Sequence, residues 1–142
     1  MTTEYLLGGI VIQFSRIEEK VGTIIEELSK NCISARDIRR MRLSERLRMM
    51  SDLLNNESVR INVSERLIGT IREYAQVRNL IAHTAPYYVL DDGSEYLEIE
   101  TSNNEPISGT GQLQGFYERM CMLVEEVGHL EARVVFRSLP EQ

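Results

Sequence analysis

No stretch of this chain approaches the roughly 18 consecutive apolar residues that a membrane-spanning helix requires. The longest early run, Leu6 to Ile12, contains two glycines and has no basic segment before it, which argues against a secretory signal peptide. Cysteine and histidine are scarce, with two of each. There is no CxxC pair and no zinc-like spacing, so a structural zinc site is excluded. Cys32 and Cys121 sit beside aliphatic residues and are expected to be buried free thiols. The glutamates Glu18, Glu19, Glu26 and Glu27 lack the following histidine of a di-iron bundle and read as a solvated helix face. No carboxylate cluster suggests magnesium. Excess positive charge is also missing: the net charge of −6 argues against nonspecific nucleic-acid binding by the chain as a whole. No repeat, low-complexity tract or linker interrupts the sequence. These absences leave one cytoplasmic, soluble domain over 1–142, with no metal and no cofactor expected.

What is present is helical patterning. Of 142 residues, 42% are hydrophobic, too many for a disordered chain and enough for a single core. From about Thr3 to Lys30, Ile10, Phe14, Ile17, Val21, Ile24 and Leu28 form one apolar seam at helical spacing. Gly8 and Gly9 weaken its first turns but permit close helix contact. Ser34 is a candidate N-cap for a second helical region and Ser44 offers another start, with Leu47, Met50, Leu53 and Leu54 apolar before Asn55-Asn56. Met49-Met50 and Met120/Met122 read as core filler. A third helix is expected from Asn62 or Ser64 to Thr84, stopped by Pro86. Two β-prone runs flank Asp91-Asp92-Gly93-Ser94, which predicts a β-hairpin over about 87–101. A polar loop over Ser102–Gly111 follows. The last helix spans about Thr110 to Ser138, with Leu113, Phe116, Met120, Leu123, Val127, Leu130 and Val134 in register. It matches the first in length, so the two should pack lengthwise. The fold class is therefore all-α: an up-and-down bundle of four to five helices with one inserted hairpin.

One residue breaks this pattern. On the third helix, Arg78 falls within about 20° of Ile71, in the middle of the face marked by Leu67, Ile71, Tyr74, Ala75, Ile81 and Ala82. A guanidinium there requires an acidic partner inside the bundle, an open cleft, or a second chain. His83 lies about 140° around and about 7.5 Å further along an ideal helix, with Asn79 one turn before it. Taken singly, Arg78 reads as a structural ion-pair residue and His83 as a helix C-terminal histidine that favours the dipole.

The segment Val77-Arg78-Asn79-Leu80-Ile81-Ala82-His83-Thr84 resembles the signature of the HEPN domain family, an Arg followed by a polar residue with a His four to six positions beyond the Arg. The resemblance implies a helical bundle that dimerises with its motif helices facing each other. It also implies metal-independent cleavage of RNA, as in toxin–antitoxin, abortive-infection and CRISPR-associated systems, with an antitoxin protein as partner. On that basis Arg78 and His83 would be catalytic, and Asn79 would help orient the site. One toxin branch of the family has a Tyr two residues after the His, which a partner nucleotidyltransferase modifies. Here that position is Ala85, so control by that route is in doubt.

The chemistry fits the residue types. RNA carries its own nucleophile, the 2′-hydroxyl. An imidazole can take or give the proton, and a guanidinium can hold phosphate oxygens. One chain supplies a single suitable His, and a symmetric dimer supplies two. The expected products carry 2′,3′-cyclic phosphate and 5′-hydroxyl ends. Arg36, Arg39, Arg40 and Arg42, in a run that ends at Arg48, form a candidate RNA-backbone track, although a solvated face balanced by Asp37, Glu45 and Asp52 is the favoured reading, because aromatic residues are absent there. His129 sits among glutamates and reads as structural. Two rival classes remain open: a catalytically silent HEPN-like module that binds a protein, and a plain helical assembly protein in which Arg78 pairs with a glutamate of its own chain.

Overall fold

The computed structural model describes residues 2–56, 59, 61–83, 87–89, 91–93, 95–101 and 106–137. Five helices and three short strands are described: α1 (Thr3–Leu28), α2 (Ala35–Arg40), α3 (Leu43–Leu54), α4 (Glu65–His83), β1 (Tyr87–Val89), β2 (Glu95–Ile99), β3 (Ile107–Ser108) and α5 (Gly109–Val135). The chain is thus an all-α bundle with an inserted β-hairpin.

The apolar seam of α1 is buried along its whole length, and so is that of α5, from Leu113 to Val134. These two helices pack lengthwise and run parallel. Thr3 meets Thr110, the Tyr117 ring covers Gly9, Lys20 pairs with Glu131, and Arg137 donates to the Glu27 carbonyl. Gly9 has a clear reason to be glycine, because a Cβ built there would lie 2.7 Å from a Tyr117 ring carbon. Helix α4 runs antiparallel to α5, with Tyr74 against Phe116 at one level and Arg66 near Glu126 at another.

Chain ends and turns follow local chemistry. Thr2 caps α1 by accepting from the Tyr5 amide, and Ser34 caps α2 by accepting from the Asp37 amide. Helix α1 stops at Leu28, two residues before the expected end, because Lys30 and Asn31 adopt left-handed backbone angles. The expected start at Ser44 is corrected to Leu43. Arg42 is extended there and makes no side-chain cap. Gly93, with φ of 81°, supplies the left-handed position in the hairpin turn. Strand β1 pairs antiparallel with β2, Tyr88 opposite Tyr96.

Within the expected loop over Ser102–Gly111, Ile107 and Ser108 form a third strand on β2, with Ile99 opposite Ile107. Burial of both isoleucines accounts for it, since the pair closes the sheet over one end of the core. Two expectations of burial fail. Cys32 lies in the turn after α1 and is exposed, whereas Cys121 is half-buried. Met122 is 67% exposed, one position off the α5 seam, while Met120 is buried. Ala82 is exposed, so the buried stripe of α4 ends short of its last turn. No described helix is long and apolar enough to cross a membrane.

Candidate functional site

Helix α4 buries Leu67, Ile68, Ile71, Ala75 and Val77. Arg78 follows on the same side, and its position is explained by α1. Its guanidinium lies 4.6 Å from the centroid of the fully buried Phe14 ring, a cation–π arrangement. One turn further along α1, Glu18 presents its carboxylate. Arg78 donates from Nη1 to Glu18 Oε1 at 2.6 Å. Arg46, from α3, donates from Nη2 to Oε2 at 3.2 Å. One carboxylate therefore holds two guanidinium groups and ties α1, α3 and α4 together. The side chains of Glu18 and Arg78 are each 21% exposed and that of Arg46 is 12% exposed, so the cluster is mostly shielded but open on one side.

Asn79 is exposed, yet its Oδ1 accepts from Arg78 Nε at 2.9 Å. Together Asn79 and Glu18 take two of the five N–H donors of Arg78 and fix the plane of the fork. Removal of either partner would free the long stem to rotate. Arg46 is less well served: its Nε is buried and has no hydrogen-bond partner among the described residues.

His83 ends α4 and is exposed. Among the described residues no hydrogen bond joins it to Arg78 or Asn79. The structure thus brings Arg78 and Asn79 together and leaves His83 apart on the same helix end, as the helical geometry requires. Thr84 and Ala85 lie outside the described residues.

The arginine run divides. Arg36, Arg39 and Arg40 are exposed on α2, and Arg42 is exposed at the start of α3. Arg39 donates to the Ala35 carbonyl and lines an open groove of about 680 Å³ between α1 and the α2–α3 segment. Glu19 and Glu26 line the same groove, so it is not a uniformly basic track. Only Arg46 of this run reaches the Arg78 cluster.

Two members of the Arg78 cluster, Glu18 and Arg46, escaped the sequence reading as site residues. Glu18 had been grouped with the solvated glutamates, a reading the structure corrects. Its signal was angular: it falls about 40° from Phe14 and about 20° from Ile25, inside the buried arc of α1. Arg46 is one turn from both Leu43 and Met50, at the edge of the apolar face of α3. A charge within the apolar arc of α1 and of α4, and one at the edge of that of α3, was the detectable pattern.

No protein-family model matches the chain, and neither a curated protein nor a solved structure matches it. Chemical meaning therefore rests on the side chains themselves. Among the described residues no three His, Cys, Asp or Glu side chains are grouped as metal ligands. The residues on hand supply a fixed cation, an amide that orients it and an accessible imidazole.

Proposed function

We propose that this chain is a HEPN-type, metal-independent endoribonuclease that works as a cytoplasmic homodimer in a toxin–antitoxin or phage-defence role. The observation that carries the reading is Arg78. A permanent cation set in an apolar stripe is clamped by Glu18 and Asn79, keeps part of its surface open, and shares a helix end with an exposed histidine.

In this scheme Arg78 holds a non-bridging phosphate oxygen and stabilises the charge that builds on the pentacoordinate phosphorus. The 2′-hydroxyl attacks in line. One His83 takes its proton, and the His83 of a second copy gives a proton to the departing 5′-oxygen. The P–O5′ bond breaks, leaving a 2′,3′-cyclic phosphate and a 5′-hydroxyl. Two copies are needed because one chain has a single imidazole on α4. Glu18 and Asn79 act as positioning residues, since they touch the guanidinium rather than the substrate.

The Glu18–Arg78 pair also favours a second reading. A guanidinium neutralised within its own chain is what a purely structural ion pair looks like, and in that case the domain is a catalytically silent helical module that binds a partner protein. The two readings separate on His83, which makes no described contact that stabilises the fold. Purified protein is incubated with labelled RNA in the presence of a chelator. Cleavage giving cyclic phosphate ends, abolished in His83→Ala protein of unchanged melting temperature, is the expected result. Cleavage that is absent, or that survives unchanged in His83→Ala protein, refutes the nuclease reading.

A further inference from the structure

The outer side of α1 carries features that its own chain does not explain. Tyr5 is 60% exposed and Ile12 is 56% exposed, both facing away from the core. Gly8 is exposed between them, and nothing lies within 4 Å of a Cβ built there, so this glycine, unlike Gly9, has no packing reason within the chain. Inside a helix it costs about 1 kcal/mol relative to Ala. Glu4, Gly8, Ile12 and Arg16 are all exposed, and their i+4 spacing makes them one continuous row about 18 Å long. Among the described residues neither Glu4 nor Arg16 forms an ion pair, and Arg16 reaches only the Gln13 side chain, at 3.4 Å.

We propose that this row is a two-fold contact between two copies of the chain, α1 against α1. The occupant follows from the order of the row, which reads acid, recess, knob, base. That order is complementary to its own reverse. Glu4 falls opposite Arg16 of the second copy, and Gly8 falls opposite Ile12 of the second copy. Both pairs are centred on the level of residue 10, so a single two-fold axis makes all four contacts, as an isologous interface requires. Rows at i+4 spacing run along each other when two helices cross at about 50°. Tyr5 and the half-buried Tyr117 ring, which lies over Gly9, flank the row and widen its apolar patch. A partner of unrelated sequence would also cover Tyr5 and Ile12. It would leave opposite charges placed evenly about a recess and a knob as a coincidence. Phe14 and Glu18, which hold Arg78, lie about 120° around α1 from the middle of the row. The contact is thus separate from one that pairs two copies of His83, and it does not rest on the nuclease reading.

The test is sedimentation of the full chain and its charge-reversed forms. In Glu4→Lys protein a lysine faces Arg16 of the second copy twice over, and in Arg16→Glu protein two carboxylates meet twice over. Each variant should associate at least tenfold more weakly than wild type, and Ile12→Ser should do the same by removing the knob. Salt should weaken the wild-type contact and strengthen that of the two charge-reversed forms, since it screens attraction and repulsion alike. The Glu4→Lys/Arg16→Glu double variant should associate within about threefold of wild type. So should an equimolar mixture of the two single variants, because both pairs of the mixed dimer then carry opposite charges. Residues 4 and 16 are about 18 Å apart in one chain, so this recovery cannot arise within a chain, and it excludes misfolding of the single variants. Single variants that associate as wild type does overturn the proposal and leave any contact through α4 standing. Loss in the single variants with no recovery in the mixture overturns the two-fold pairing. Wild type that stays monomeric at every concentration overturns the contact.

Discussion

Replacing Glu18 with Gln removes the carboxylate charge that Arg46 and Arg78 share while keeping the shape of the side chain. The magnitude follows from burial. Two unit charges about 4 Å apart attract by about 4 kcal/mol at an effective dielectric constant of about 20, before desolvation offsets most of it. Exposed ion pairs contribute about 0–1 kcal/mol, whereas breaking a fully buried pair costs about 3–5 kcal/mol. Side chains that are 12% to 21% exposed fall between these limits, and two cations lose their partner at once. A destabilisation of about 2 kcal/mol is expected, or about 7 °C in melting temperature for a domain of this size. The assay is thermal melting by circular dichroism, with Glu19→Gln as control. Glu19 is exposed, and its substitution should stay within about 0.5 kcal/mol of wild type. A double-mutant cycle of Glu18→Gln with Arg78→Met should show coupling of about 1 kcal/mol or more. Equal melting of the Glu18 and Glu19 variants, or zero coupling, would refute the assignment of the cluster as a three-helix clamp.

Other substitutions test separate parts of the account. Arg46→Met should stay within about 1 kcal/mol of wild type, because its longer contact and orphaned Nε offset each other and Arg78 still neutralises Glu18; urea denaturation measures this. Gly8→Ala should stabilise α1 by up to about 1 kcal/mol, since nothing lies within 4 Å of the new Cβ, whereas Gly9→Ala should be the less stable of the pair by about 1–3 kcal/mol because it presses on Tyr117. Met120→Ala should cost about 2–5 kcal/mol in the same assay, and Met122→Lys less than about 0.5 kcal/mol.

The long helices were legible because buried seams repeat at 3–4 residue spacing over about five to six turns, a signal that no local accident mimics. Every seam residue proposed for α1 and α5 is buried. The hairpin was legible from Gly93 and its flanking β-prone runs. Strand β3 was not, because two residues in a polar stretch carry no periodicity, and Ile107 is strand only because Ile99 is there to pair with it. Cys32 was misjudged because aliphatic neighbours in sequence do not imply burial once the chain turns at Lys30 and Asn31. At the site, the anomaly of Arg78 was visible in the sequence, but its partner was not. Glu18 is 60 positions away, and which of Glu18, Glu19, Glu26 and Glu27 faces inward depends on how α1 rotates against α4. The angular position of Glu18 beside Ile25 narrows the choice, but only the packed bundle decides it.

The claim that two copies complete one site is tested most directly by cleavage rate per chain as a function of protein concentration, spanning the range in which sedimentation shows monomer passing to dimer. Shared catalysis predicts a specific activity that falls toward zero in the monomer range and is suppressed by excess His83→Ala chain. A specific activity that is constant across that range would contradict it.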